Sequence, residues 1–286
     1  QKLWRDEGSE MEVVGFGTAG CKIAKNFEKY PQYNVHCVDV DISGKNCYSL
    51  PKSKTMEEAE KSVPEFPKLT RSVGDNRVFF ICAGGGVTAG AILGILEQIK
   101  NAELSVVYLK PDLSFLNEGE KRQEKVVYRV LQEFARSGLF ERIYILDNAK
   151  VADIVGDLSI VEYFPKINQT IVNSLHMINY LSNSDSVIGN ICETKEMNRI
   201  STLAMYDLEK NEEKCFFNLE SPREKCFYFA FNEQTLEKEK NMLKKISKQV
   251  KKAGQSDLTS VSYDITATTY ETNFAYVVLH TNFIQE

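Results

Sequence analysis

A chain of 286 residues, 43% hydrophobic and 26% charged, is long enough for one large domain or two modest ones and has the composition of an ordinary globular protein. Its net charge of -5, from 35 basic and 40 acidic residues, excludes a global attraction to nucleic acid or to anionic membranes. No apolar run approaches the ~20 residues that a membrane-spanning helix needs, so neither a direct nucleic-acid partner nor a membrane span is expected.

The seven cysteines (Cys21, Cys37, Cys47, Cys82, Cys192, Cys215 and Cys226) form no C-x-x-C pair, which predicts free thiols in a reducing compartment. The three histidines, His36, His176 and His280, are far apart in sequence and give no zinc-ligand spacing, so no protein-held metal is expected. The opening segment "QKLWRDEGSE" lacks the basic-then-apolar layout of a signal peptide. The expected location is the cytoplasm.

Taken in chain order, "MEVVGFG" predicts a strand feeding a glycine turn, and "CKIAKNFEKY" the helix behind it, ended by Pro31. "YNVHCVDVD" is a second strand, and residues 44–75 read as a polar, weakly ordered stretch with three prolines. "RVFFICAG" is apolar throughout, as befits a strand covered on both faces of a parallel sheet. A helix ("AGAILGILEQIK"), a strand ("LSVVYLKP"), a charged helix closing on Gly138 and a strand ("RIYILDN") follow. This alternation predicts an α/β domain with a doubly wound parallel sheet and ligand chemistry at the carboxyl ends of its strands. "FPKINQTIVNSLHMINYLS" is a long amphipathic helix, with Ile167, Ile171, Leu175, Ile178 and Leu181 at three- or four-residue steps. Strand, helix, strand and strand signals then predict a second, smaller α/β unit. The resulting partition is a nucleotide-binding domain at 11–162, a central helix at 163–182 and a C-terminal domain at 183–286.

Two glycine turns carry the chemistry. "GFGTAG" (Gly15, Gly17, Gly20) satisfies G-x-G-x-x-G, and "AGGGVTAG" puts three glycines after the apolar strand. A strand that ends in glycines and enters a helix offers backbone N–H groups and a positive helix end to phosphate. The chain has no G-x-x-x-x-G-K-S/T phosphate loop. Either turn alone is also explained by tight strand-to-helix packing. An NAD-binding oxidoreductase, with Asp39 or Asp41 on the ribose, would leave the second turn idle.

"AGGGVTAGA" resembles the G-G-G-T-G-S/T-G signature of the tubulin/FtsZ family, and the likeness continues along the chain. "GFGTAGCKIAKNF" stands at that family's first phosphate turn. "VDVD" resembles its N-T-D segment, with Asp41 at the aspartate. "KPDLSFLNEGEKR" is similar to K-P-F-x-F-E-G-x-x-R. "ILDNAKV" is similar to I-P-N-D-K-L, and "SIVEYFPKINQTI" to the start of the central helix. The resemblance spans about residues 12 to 181. It implies a tubulin/FtsZ-like fold: a parallel-sheet GTP-binding domain, a long central helix and a smaller α/β C-terminal domain. It also implies GTP or GDP with Mg²⁺ as cofactors, and self-assembly into a head-to-tail homopolymer, with any adaptor or cargo unidentified.

On that resemblance Ala83, Gly84, Gly85, Gly86, Val87 and Thr88 wrap the β- and γ-phosphates. Gly15, Gly17, Thr18, Ala19, Gly20 and Cys21 cover the α- and β-phosphates. Glu118 suits a ribose hydroxyl, and Arg122 sugar or base. Phe164 stacks on a purine, and Asn148 and Asn168 pair with its edge. The amide serves adenine as well as guanine. Read without the family, Phe164 is equally a core residue and Arg122 a solvated partner for Glu118 or Glu120.

Departures from the pattern bear on turnover. Val87 replaces the signature's first threonine, and Thr18 and Ala19 replace glycines of the first turn. The family's hydrolytic acids come from an N-x-D-x-x-D/E loop on the neighbouring subunit. Here that segment reads "DSVIGNICETKEMNRI". Ungapped alignment puts Cys192 on the first acidic position. One inserted residue instead puts Glu193 and Glu196 there, behind Asn190, on one face of an expected helix start. The segment before "CFYFAF" is short for the family and the sequence ends at "HTNFIQE" without a long acidic extension, so the expectation is a divergent, minimal member such as those carried by viruses or plasmids. The leading expectation is a polymerising GTPase that uses Glu193, Glu196 and Asn190 at the subunit interface. The alternative is a hydrolysis-deficient scaffold or regulator of the same fold.

Overall fold

A computed structural model describes residues 11–191, 193–254 and 258–286. The chain divides into two compact units, one ending at Ile143 and the other beginning at Tyr144. In the first unit, β1 (Met11–Phe16) runs into α1 (Gly17–Lys25), followed by β2 (Tyr33–Val40), β3 (Cys47–Leu50), α2 (Met56–Lys61) and α3 (Pro67–Val73). Then come β4 (Arg77–Cys82), a 3-10 turn (Val87–Ala91), α4 (Ile92–Gln98), β5 (Glu103–Lys110) and α5 (Glu118–Arg136). Its strands are all parallel in the order β3-β2-β1-β4-β5. Val13, Val14, Val38, Phe80, Ile81, Val106 and Val107 are buried along these strands, consistent with a sheet covered by helices on both faces.

Parallel pairing sets where the chemistry falls. Gly17 follows β1, Asp41 follows β2, Lys52 stands two residues past β3, and Gly84 stands two past β4. These positions all lie at the carboxyl ends of parallel strands, the edge at which such sheets bind ligands. The opposite, amino end holds a buried polar cluster. His36 Nε2 lies 2.7 Å from Glu12 Oε2, and Asn34 and Asn76 donate to the same carboxylate.

Residues 44–75 are ordered, contrary to expectation. β3 is a four-residue strand in register with β2, pairing Cys37 with Cys47 and Val40 with Leu50. α2 is capped by Thr55 Oγ1, which accepts from Glu58 N at 3.2 Å, and α3 begins on Pro67. These elements are too short for hydrophobic periodicity to register. Their signals are the T-x-x-E cap and the proline at a helix start.

β6 (Arg142–Asp147) crosses the division between the units. The second unit continues with α6 (Asn148–Val155), α7 (Tyr163–Ser182), β7 (Ile188–Gly189), β8 (Ile200–Asp207), β9 (Glu212–Cys215) and β10 (Glu224–Asn232). It is completed by α8 (Glu233–Lys238), α9 (Met242–Ala253), β11 (Ser260–Thr268) and β12 (Phe274–Thr281). Here the sheet is mixed, in the order β8-β12-β10-β11-β7, with β9 on β8. β10 and β11 pair in parallel, joined across α8 and α9, whereas β12 is antiparallel to both its neighbours. Phe227, Phe229 and Phe231 alternate onto one face of β10 and stack at 6.0 Å spacing. Ile246 and Val250 of α9 belong to the same core cluster.

Candidate functional site

The first glycine turn serves two purposes. A Cβ added to Gly15 would lie 2.6 Å from Gly20 O and 2.7 Å from Ala24 Cβ, and one on Gly20 would lie 2.2 Å from Ile81 O. Those two glycines let α1 lie close against β1 and β4. Gly17 has φ +70 and open space where a side chain would be. It is the position whose backbone needs glycine, and it opens α1. α1 has neither a side-chain cap nor an acidic residue in its first turn, so its N–H groups are not masked by the helix's own side chains. Thr18 and Ala19 are exposed, and Thr18 Oγ1 donates to Asp39 Oδ2 at 3.1 Å. The Cys21 side chain turns inward, its thiol directed at Gly15 O and Val38 O.

The second turn is also divided. A Cβ on Gly84 would meet Tyr108 Oη at 2.5 Å and Val127 Cβ at 3.1 Å. Tyr108 Oη donates to the buried Glu124 carboxylate at 2.8 Å. Burial, then the Glu124 charge, pushes the Tyr108 phenol up, so it stays protonated as the donor. Gly85 would touch only Leu116, and Gly86 nothing within 4 Å. Gly86 begins the 3-10 turn without a side-chain cap. Half-buried Val87 and Thr88 line a cavity of about 230 Å³, together with Lys52 and Ser53 from the β3–α2 loop. Ala83, half-buried, joins β4 to the turn.

Asp41 adopts a left-handed backbone, φ 55, which Asp tolerates better than most residues. Its Oδ2 lies 2.6 Å from Lys52 Nζ, and both side chains are largely exposed. The Asp41 hydrogen bond and charge hold the ammonium above its ordinary value. Sequence reasoning missed Lys52. It sits in the stretch read as weakly ordered, and the short strand "CYSL" was the signal that would have brought it to this edge.

Glu118 and Arg122 lie on the first turns of α5. Glu118 Oε1 pairs with Lys121 at 2.8 Å, and Arg122 Nε donates to Glu118 O at 3.2 Å. Arg122 also lines a second cavity, of about 370 Å³, with Met56, Leu93 and Val126. In the second unit Asn148 is the first residue of α6, and its Oδ1 is buried without a hydrogen-bond partner. Phe164, 54% exposed, packs edge-on to Tyr163 at 5.1 Å. Asn168 follows it by four residues on α7, on the same side of the helix.

Asn190 extends the β7–β11 pairing, its N donating to Tyr263 O and its Oδ1 accepting from Tyr263 N, both at 2.9 Å. Glu193 and Glu196 are exposed. The expected helix start is absent there: the segment is irregular, with a turn at Glu196–Met197, before β8. Glu224 holds that irregular course by accepting from Lys195 N and from Asn198 Nδ2. Cys192 lies outside the described residues.

In the first unit, open space at Gly17 and Gly86 admits a phosphate close to the backbone. In the second unit, the buried Asn148 Oδ1 has no hydrogen-bond partner. No group of three or more metal-ligating side chains occurs among the described residues. No helix among them is long and apolar enough to cross a membrane.

The class so defined is a mixed α/β protein of the tubulin/FtsZ-like fold. No family model and no curated protein matches the chain. Solved structures do. FtsZ from M. jannaschii, as an empty dimer, superposes with TM-score 0.71 at 12% identity, covering 97% of this chain and 89% of that one. A GTPγS-form protofilament of TubZ from Bacillus thuringiensis serovar israelensis gives TM-score 0.69 at 16% identity, covering 94% and 86%. A helical model of the four-stranded TubZ-Bt filament gives TM-score 0.72 at 16% identity, covering 94% and 85%.

Proposed function

We propose that this chain binds GTP or GDP with Mg²⁺, assembles head to tail into a cytoplasmic filament and hydrolyses GTP at the subunit interface. One observation carries the proposal. Two glycine turns stand at the carboxyl ends of the adjacent parallel strands β1 and β4, in a fold shared with FtsZ and with filament-forming TubZ. In this reading residues 11–162 bind nucleotide, 163–182 form the central helix and 183–286 serve assembly.

The backbone N–H groups after Gly17 and around Gly86 hold phosphate oxygens, and Glu118 and Arg122 take the sugar. Phe164 covers the base, and Asn148 and Asn168 pair with its edge. Bound together with the nucleotide, Mg²⁺ would supply positive charge to offset that of the phosphates. Exposed Glu193 and Glu196, with Asn190, orient water toward a neighbouring subunit's nucleotide. A heterologous contact of this kind yields an open polymer. The hydrolysis-deficient scaffold is the second reading, favoured by Val87 and by the irregular backbone around both glutamates.

Purified protein with GTP and Mg²⁺ is expected to give sedimentable filaments and released phosphate. Glu193→Gln with Glu196→Gln is expected to slow release by at least ~100-fold while filaments persist. Absence of both polymer and nucleotide binding refutes the proposal. Filaments that release no phosphate select the scaffold reading, and a release rate that the double variant leaves unchanged shows that neither glutamate is catalytic.

A further inference from the structure

Lys52 has no counterpart among the residues the family resemblance supplies, yet the fold brings it to the edge where the glycine turns lie. Parallel pairing sets Val40 beside Leu50, so the chain emerging from β2 carries Asp41 next to the chain emerging from β3, which carries Lys52. Lys52 and the residues that follow the three glycines, Val87 and Thr88, line one cavity. Val87 deprives that cavity of the hydroxyl the signature places there, and lysine brings three donors and a full positive charge. We infer that Lys52 is the residue by which this chain distinguishes a nucleoside triphosphate from a diphosphate: it pairs with Asp41 when no terminal phosphate is present and transfers to that phosphate when one is.

The exchange is physically easy. An ion pair between two exposed side chains contributes little, and both Lys52 and Asp41 are largely exposed. A terminal phosphate carries about -1.5 to -2 near neutral pH against -1 for a carboxylate, with three acceptor oxygens. Lysine is a common point-charge partner for phosphate. The pair with Asp41 already holds the ammonium at this edge of the sheet, so little ordering is left to be done when the phosphate enters.

This inference rests on the nucleotide reading above, and the test separates the two. Binding of a non-hydrolysable GTP analogue and of GDP is measured by titration calorimetry, at one Mg²⁺ concentration and one ionic strength, for wild type, Lys52→Gln and Lys52→Arg. Lys52 is exposed, so circular-dichroism melts of the variants should overlay the wild type. Lys52→Gln is expected to lose about tenfold to a hundredfold in affinity for the triphosphate, with GDP binding within about twofold of wild type. Lys52→Arg should keep most of the discrimination. Equal losses for both nucleotides, or no loss for either, overturn the role of Lys52 while nucleotide binding stands. A wild type that binds neither nucleotide removes the nucleotide reading and this inference with it.

Discussion

Adding one carbon at Gly84 brings it within 2.5 Å of Tyr108 Oη, whereas at Gly86, two residues on, it meets nothing within 4 Å. The two substitutions should therefore fail differently. Gly84→Ala is expected to cost about 1–3 kcal/mol of stability by overpacking against Tyr108 and Val127. Gly86→Ala, whose backbone is extended, should change stability by no more than about 0.5 kcal/mol yet lower triphosphate affinity by about tenfold or more, because the methyl stands where phosphate must approach. Urea melts and calorimetric titrations on the pair check both. The sequence located every one of these glycines. It did not say which answer to a neighbour and which to a ligand, because Ile81 O and Tyr108 Oη come to them from distant parts of the chain. Lys52 went unread for the same reason: its significance depends on a partner strand four residues long.

At the scale of elements, the long periodic segments were legible. α5, α7 and the apolar strands lie where their patterns predict, since each buries a continuous stripe or face. Short elements escaped because four to seven residues hold too few periods to stand out, and β8 and β9 were not foreseen. The segment holding Glu193 and Glu196 failed oppositely: a spacing of three suggested a helix, and Glu224 instead engages Lys195 N and Asn198. α5 offers a clean test of local chemistry. Asn117 accepts from Gly119 N and Glu120 N, while Glu120 returns the bond to Asn117 N. Asn117→Ala is expected to cost about 1 kcal/mol, lowering Tm by about 2–4 °C in scanning calorimetry. It should also weaken nucleotide binding, because Glu118 and Arg122 stand in the turns that lose their cap.

For the whole molecule, the proposed function makes each hydrolytic site a joint product of two chains, and mixing tests that directly. A Gly86→Ala chain, assayed at a GTP concentration too low to load its weakened site, and a Glu193→Gln/Glu196→Gln chain that cannot orient water should each be inactive alone. In an equimolar copolymer about a quarter of the head-to-tail contacts pair an intact nucleotide turn with intact acids. Phosphate release should recover to about that fraction of wild type. No recovery from mixtures that copolymerise places all the chemistry within one chain.

β12 lies between β8 and β10 in the second unit's sheet, although it follows both in sequence. During synthesis the ribosome delivers those two neighbours before the strand that joins them. At about 5–20 residues per second, translation from Tyr144 to the start of β12 takes roughly 7–25 s, during which the first unit can fold and the second cannot close. On the proposed function, a chain becomes competent to polymerise only once β12 has been made and seated between those two neighbours. The same order of synthesis would spare nascent chains crowded on one messenger from joining a filament before that strand has emerged.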